Sequence, residues 1–135
     1  MARTGRGPAF LRPVVMALHW ATLPVVVAWL AGSLPGWAVA CQALGWAALT
    51  AVWGLRGGPS PALSGPARRI AWLTHPALLA LFALGAVLAA LDIAAARPLL
   101  IATLGLSALH GVFNLWRSSV LGDGSLRRMT PKVLH

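Results

Sequence analysis

Four long blocks without a charged side chain set the terms for this chain. Residues 13–34 (22 residues), 37–55 (19), 70–91 (22) and 98–116 (19) contain no Asp, Glu, Lys or Arg. A helix rising about 1.5 Å per residue needs roughly 20 apolar residues to cross about 30 Å of hydrocarbon. In lipid every backbone polar group must bond within its own segment, so blocks of this length predict membrane-spanning helices. A soluble fold fails on quantity: 59% of the 135 residues are hydrophobic, more than one small core can bury. Residues 35–36 join the first two spans and residues 92–97 the last two. The single longer linker, 56–69, carries the helix breakers Gly57-Gly58-Pro59-Ser60-Pro61 and Gly65-Pro66. Short connections force neighbouring helices to run antiparallel. The expected fold is therefore all-α: an integral membrane four-helix up-down-up-down bundle, one domain over residues 1–135. Pro24 should kink the first span, because it deprives the Trp20 carbonyl of its helical partner.

The net charge of +9 would suggest nucleic acid in a soluble protein, but its distribution excludes that class. Arg3, Arg6 and Arg12 precede the first span, Arg56, Arg68 and Arg69 lie between the second and third, and Arg117, Arg127, Arg128 and Lys132 follow the fourth. The opposite loops hold only Asp92 and Arg97. Positive-inside asymmetry of this kind places both termini in the cytoplasm. The lone Cys41 has no internal disulfide partner and reads as a small packing residue.

Histidines are the chemistry-bearing residues. His19, His75 and His110 fall within spans, where ionisable side chains are costly and mark function. His19 lies seven residues after Arg12, and His110 seven before Arg117, so each sits roughly 10 Å inside the charged layer. Seven residues make nearly two turns, which puts each arginine on the face of its histidine. Two imidazoles at matched depth, with guanidinium groups above them, suit a b-type haem: the rings take the iron and the arginines its propionates. Ser107 and Asn114, a turn either side of His110, are placed to hold its second ring nitrogen. His75 precedes Pro76, which disfavours helical geometry, so it is expected to cap the third helix. Arg68 stands seven residues away and makes His75 the reserve ligand. The plainer alternative has each histidine hydrogen-bonding a neighbouring helix.

The segment Pro13-Val14-Val15-Met16-Ala17-Leu18-His19-Trp20 and the closing run Leu109-His110 with Asp123-Gly124-Ser125-Leu126-Arg127-Arg128-Met129-Thr130-Pro131 resemble the bacterial cytochrome b561 family of four-helix membrane cytochromes. The resemblance extends over all four spans, and the carboxy-terminal motif is its most specific part. It implies a bacterial inner membrane location and electron exchange with quinol, quinone or a redox partner protein.

Such cytochromes typically hold two haems on four histidines, with a fourth-span pair about fourteen residues apart. Fourteen before His110 is Ala96, and Cys41 stands where the second span should supply a ligand. The resemblance therefore implies one haem, held by His19 and His110 in the cytoplasmic leaflet, with the outer site lost. If the helices pack as in that family, histidines at positions 41 and 96 would rebuild it. One haem in one leaflet does not carry electrons across the membrane alone, so the expected role is a single-haem electron-transfer subunit. The competing reading is a haem-free bundle that anchors or assembles a partner. The sequence does not choose between homo- and hetero-oligomers.

Overall fold

The computed structural model describes residues 10–54 and 59–130. Arg3, Arg6, Arg56, Gly57, Gly58, Pro131 and Lys132, named above, lie outside the described residues. Within them the chain is all helical: α1 (Leu11–Leu30), α2 (Gly36–Trp53), α3 (Gly65–Ala90), α4 (Ala96–Val120) and the short α5 (Ser125–Met129). The first four are long and apolar enough to cross a membrane and pack as the expected up-down-up-down bundle. We call the end carrying Arg12, Arg68, Arg69 and Arg117 the basic end, and the other the hairpin end.

Element ends follow turn chemistry more closely than the loss of charge. α1 stops at Leu30 because Gly32 takes a left-handed conformation (φ 76°); its N–H donates to the Trp29 carbonyl (2.9 Å) and that of Ser33 to Ala28 (2.8 Å). α3 ends the same way with Asp92 at φ 53°, its N–H donating to Ala89 (3.2 Å) and that of Ile93 to Leu88 (2.9 Å). At the basic end α3 begins at Gly65, so Arg68 and Arg69 are helical rather than part of a linker. The uncharged run measures hydrocarbon thickness, while the helix continues into the interface.

His75 corrects an expectation. It lies inside α3, ten residues past its start, and does not cap it. Pro76 removes one hydrogen bond, to the Trp72 carbonyl, and the turns on either side hold the helix together. α1 likewise continues through Pro24.

Burial divides the bundle along its length. At the hairpin end Val26, Val39, Phe82, Ala86, Ala89, Ala96 and Leu100 form a closed apolar core from all four helices. At the basic end Leu11, Val15 and Leu49 cluster with Trp46, Trp53 and Met129 of α5. Large apolar side chains such as Trp37, Leu44, Leu109 and Val112 point outward, as a lipid-facing surface requires. Cys41 is also exposed and is not the packing residue expected of it. α2 and α4 pack firmly on α3, whereas α1 and α4 touch only lightly.

Candidate functional site

Between the two apolar clusters lies a polar layer, nearer the basic end. On α1 the half-buried His19 ring stands edge-on to Trp20 (5.7 Å between centroids) and to Trp46 of α2 (6.4 Å). The Trp46 indole is itself fixed, donating from Nε1 to Thr22 Oγ1 at 3.0 Å. The Gln42 amide donates to Thr22 Oγ1 (2.8 Å) and to the Leu18 carbonyl (2.7 Å), and the Thr22 hydroxyl donates to that same carbonyl (2.8 Å). This network ties α2 to α1 within a turn of His19. Thr22, Gln42 and Trp46 were not singled out from sequence. The available signal was Gln42, a lone amide in a charge-free span, since such side chains bond across helices.

On the opposite wall His75 of α3 and His110 of α4 meet edge-to-face, 4.7 Å between centroids and 88° between planes. His19 lies within electrostatic reach of both rings. Asn114 holds His110: its Nδ2 lies 3.0 Å from Nε2 and 3.3 Å from Nδ1 of the ring, and donates to the His110 carbonyl at 2.9 Å. An amide N–H in reach of both nitrogens engages the ring's lone pair, whichever nitrogen carries it. Ser107, the other candidate, donates to the Thr103 carbonyl instead (2.8 Å). His75 differs from both other rings. Its Nδ1 is buried without a hydrogen-bond partner; the Ala71 carbonyl one turn back approaches it without reaching bonding geometry.

Both candidate arginines are engaged elsewhere. Arg117 is 3% exposed and forms an ion pair with Asp123, Nε and an Nη each 2.8 Å from Oδ2. Its other Nη reaches Asn114 Oδ1 at 3.4 Å. Arg12 is exposed and donates to the carbonyls of Arg127 (2.9 Å) and Thr130 (3.3 Å) at the end of α5. Trp20 Nε1 donates to the Met129 carbonyl at 2.8 Å, and the Ser125 hydroxyl to the Asn114 carbonyl at 2.9 Å. α5 is thus pinned to α1 at one end and α4 at the other, bridging the two helices that hardly touch.

The two positions at which the family resemblance would put an outer haem site part company. Cys41 faces outward, while Ala96 is 1% exposed inside the hairpin-end core. Among the described residues no three His, Cys, Asp or Glu side chains converge as a metal site. No known protein family, curated protein or solved structure matches the chain.

Proposed function

We propose that the chain is a membrane b-type cytochrome. It holds one haem between His19 and His110 and exchanges electrons with quinol, quinone or a redox partner protein. The observation that carries this reading is that His19 of α1 lies within electrostatic reach of the touching rings of His75 (α3) and His110 (α4), inside a largely apolar bundle. Imidazole nitrogen is a standard axial donor to haem iron. His75 and His110 touch each other, leaving no plane between them, so the partner of His19 is one of these two, and the resemblance of the Leu109-His110 motif favours His110. A b-type haem bound there supplies a one-electron iron couple.

The chain's own residues then have distinct tasks. Trp20 and Trp46 fix the plane of His19; for iron to take the His110 lone pair, the Asn114 amide would turn so that Oδ1 accepts from the ring's other nitrogen. Arg12, exposed at the rim, would hold the haem carboxylates only by giving up the Arg127 and Thr130 carbonyls. Arg117 anchors the end of α4 through Asp123. The resemblance to the bacterial cytochrome b561 family, in its amino- and carboxy-terminal motifs, supports the same assignment and a bacterial inner membrane setting.

Optical spectra of the purified protein, oxidised and reduced, test this. One low-spin, six-coordinate haem per chain is expected, lost in His19→Ala and in His110→Ala and kept in His75→Ala. Retention of the spectrum in both of the first two variants would sink the assignment. A second reading has one observation in its favour: Asn114 and His75 already occupy the surroundings of the His110 ring. On that reading the bundle is haem-free and serves as an anchor or assembly partner. A folded protein without haem absorbance, made in cells supplied with haem, would select it.

A further inference from the structure

The sequence holds only two side-chain carboxylates against eleven basic residues, and both are accounted for. Asp92 lies in the turn at the hairpin end, and Asp123 is the partner of Arg117. The side chains of Arg68 and Arg69, both exposed in the opening turns of α3, have no hydrogen-bond or ion-pair partner among the described residues. They flank a groove of about 310 Å³ whose other walls are Pro59 and Trp72. Trp72 stands three and four residues beyond the arginines, on the helical face they share, and is 65% exposed. Ile70 and Leu73 beside it are about half exposed, which places the groove where the apolar surface of a span meets the polar layer.

We propose that this groove binds an anionic phospholipid. Its phosphate sits between the Arg68 and Arg69 guanidinium groups and its glycerol and upper acyl chains lie against Trp72. Among the described residues no carboxylate is free at this end, which leaves the counter-charge to a ligand. Guanidinium is a planar fork suited to phosphate oxygens. Indole is the side chain that favours the headgroup level, with its ring in the acyl boundary and its N–H towards water. A free phosphate would satisfy the arginines alone. The exposed Trp72, Ile70 and Leu73 directly below them favour a ligand with an apolar part. None of this depends on haem.

The full chain, reconstituted in nanodiscs with equal phosphatidylglycerol and phosphatidylcholine and then released into detergent, gives the test by native mass spectrometry of retained lipid. Wild type should keep phosphatidylglycerol in preference to phosphatidylcholine. The double variant Arg68→Gln/Arg69→Gln should lose that preference by roughly tenfold or more. Arg97→Gln/Arg127→Gln, which removes equal charge elsewhere, should retain it. Equal loss in both double variants would mean diffuse attraction and overturn the site. So would an unchanged preference in Arg68→Gln/Arg69→Gln, or displacement of the lipid by millimolar inorganic phosphate. A photoactivatable phosphatidylglycerol, crosslinked to the unaltered protein, keeps the test independent of variant folding. Label on the peptide containing Trp72 is expected, and label spread over all four spans refutes the proposal.

Discussion

Asp123 is the carboxylate of the basic end, and its surroundings fix its ionisation. Burial pushes its carboxyl up, but the Ser125 N–H and the Arg117 guanidinium outweigh that and hold it below the ordinary value of 3.8. A carboxylate with a lowered folded pKa adds stability that is fully present above the unfolded value and disappears as pH falls through the folded one. The thermal midpoint in detergent should therefore be level from neutral to about pH 5 and fall below about pH 4. Asp123→Asn should lower it at neutral pH by the equivalent of about 2–4 kcal/mol, between a charge-assisted hydrogen bond and a fully buried pair. The gap between variant and wild type should then narrow in acid. A constant gap from pH 7 to about pH 3 would show that the ion pair is not the source. Little of this was legible in advance. Seven-residue spacing placed Arg117 on the His110 face, but no periodicity reaches across a turn to Asp123. The partner of Arg117 depends on the chain reversing through Gly122 and Gly124, both at positive φ (62° and 66°).

Among the elements, α3 is the helix around which the others assemble, and its close contacts explain two glycines. A Cβ on Gly36, at the start of α2, would collide with the backbone carbonyl of Ala89 on α3. A Cβ on Gly85 would meet the Leu100 side chain of α4, 2.7 Å from Cδ2 and 2.9 Å from Cγ. Backbone yields far less than the end of a leucine. Gly36→Ala should thus cost more than Gly85→Ala, roughly 2–3 kcal/mol against 1 or less, the latter offset by the better helix propensity of alanine. Thermal unfolding of the two variants in one detergent measures the difference, and the reverse order would contradict the α2–α3 contact. Element existence was readable because uncharged length is a strong signal in lipid. Element ends were not, because they are decided by backbone hydrogen bonds at Gly32 and Asp92. His75 shows a related failure: the local rule for a residue before proline was overridden by ten residues of helix on its amino-terminal side and fourteen beyond Pro76. α5 was invisible as a helix, since five residues have no stable helicity alone. It exists through Arg12, Trp20 and the seat of Met129 among Leu11, Val15 and Leu49.

For the whole molecule, the basic residues make orientation testable: a reporter fused after residue 135 should read cytoplasmic, and an external reading would reverse every assignment of leaflet. The division into an apolar hairpin end and a polar basic end makes a sharper prediction about capacity. On the resemblance to the bacterial cytochrome b561 family, histidines at positions 41 and 96 should rebuild a second haem site. The packing argues for the opposite result. Ala96 is enclosed with Val26, Val39, Ala86 and Leu100, two of which are fully buried large side chains, while position 41 faces outward. An imidazole at 96 must displace that core, and overpacking costs about 1–3 kcal/mol even before a polar ring is left unpaired in apolar surroundings. Cys41→His/Ala96→His should therefore keep the haem stoichiometry of wild type and unfold at lower temperature. A rise towards two haems per chain would show that the hairpin-end core opens readily, and that loss of the two ligands preceded any loss of the cavity. The expected result, one haem with a weakened bundle, means instead that the space has been filled by the four-helix core. On the proposed function, electron transfer to the other face would then depend on a cofactor supplied by a partner.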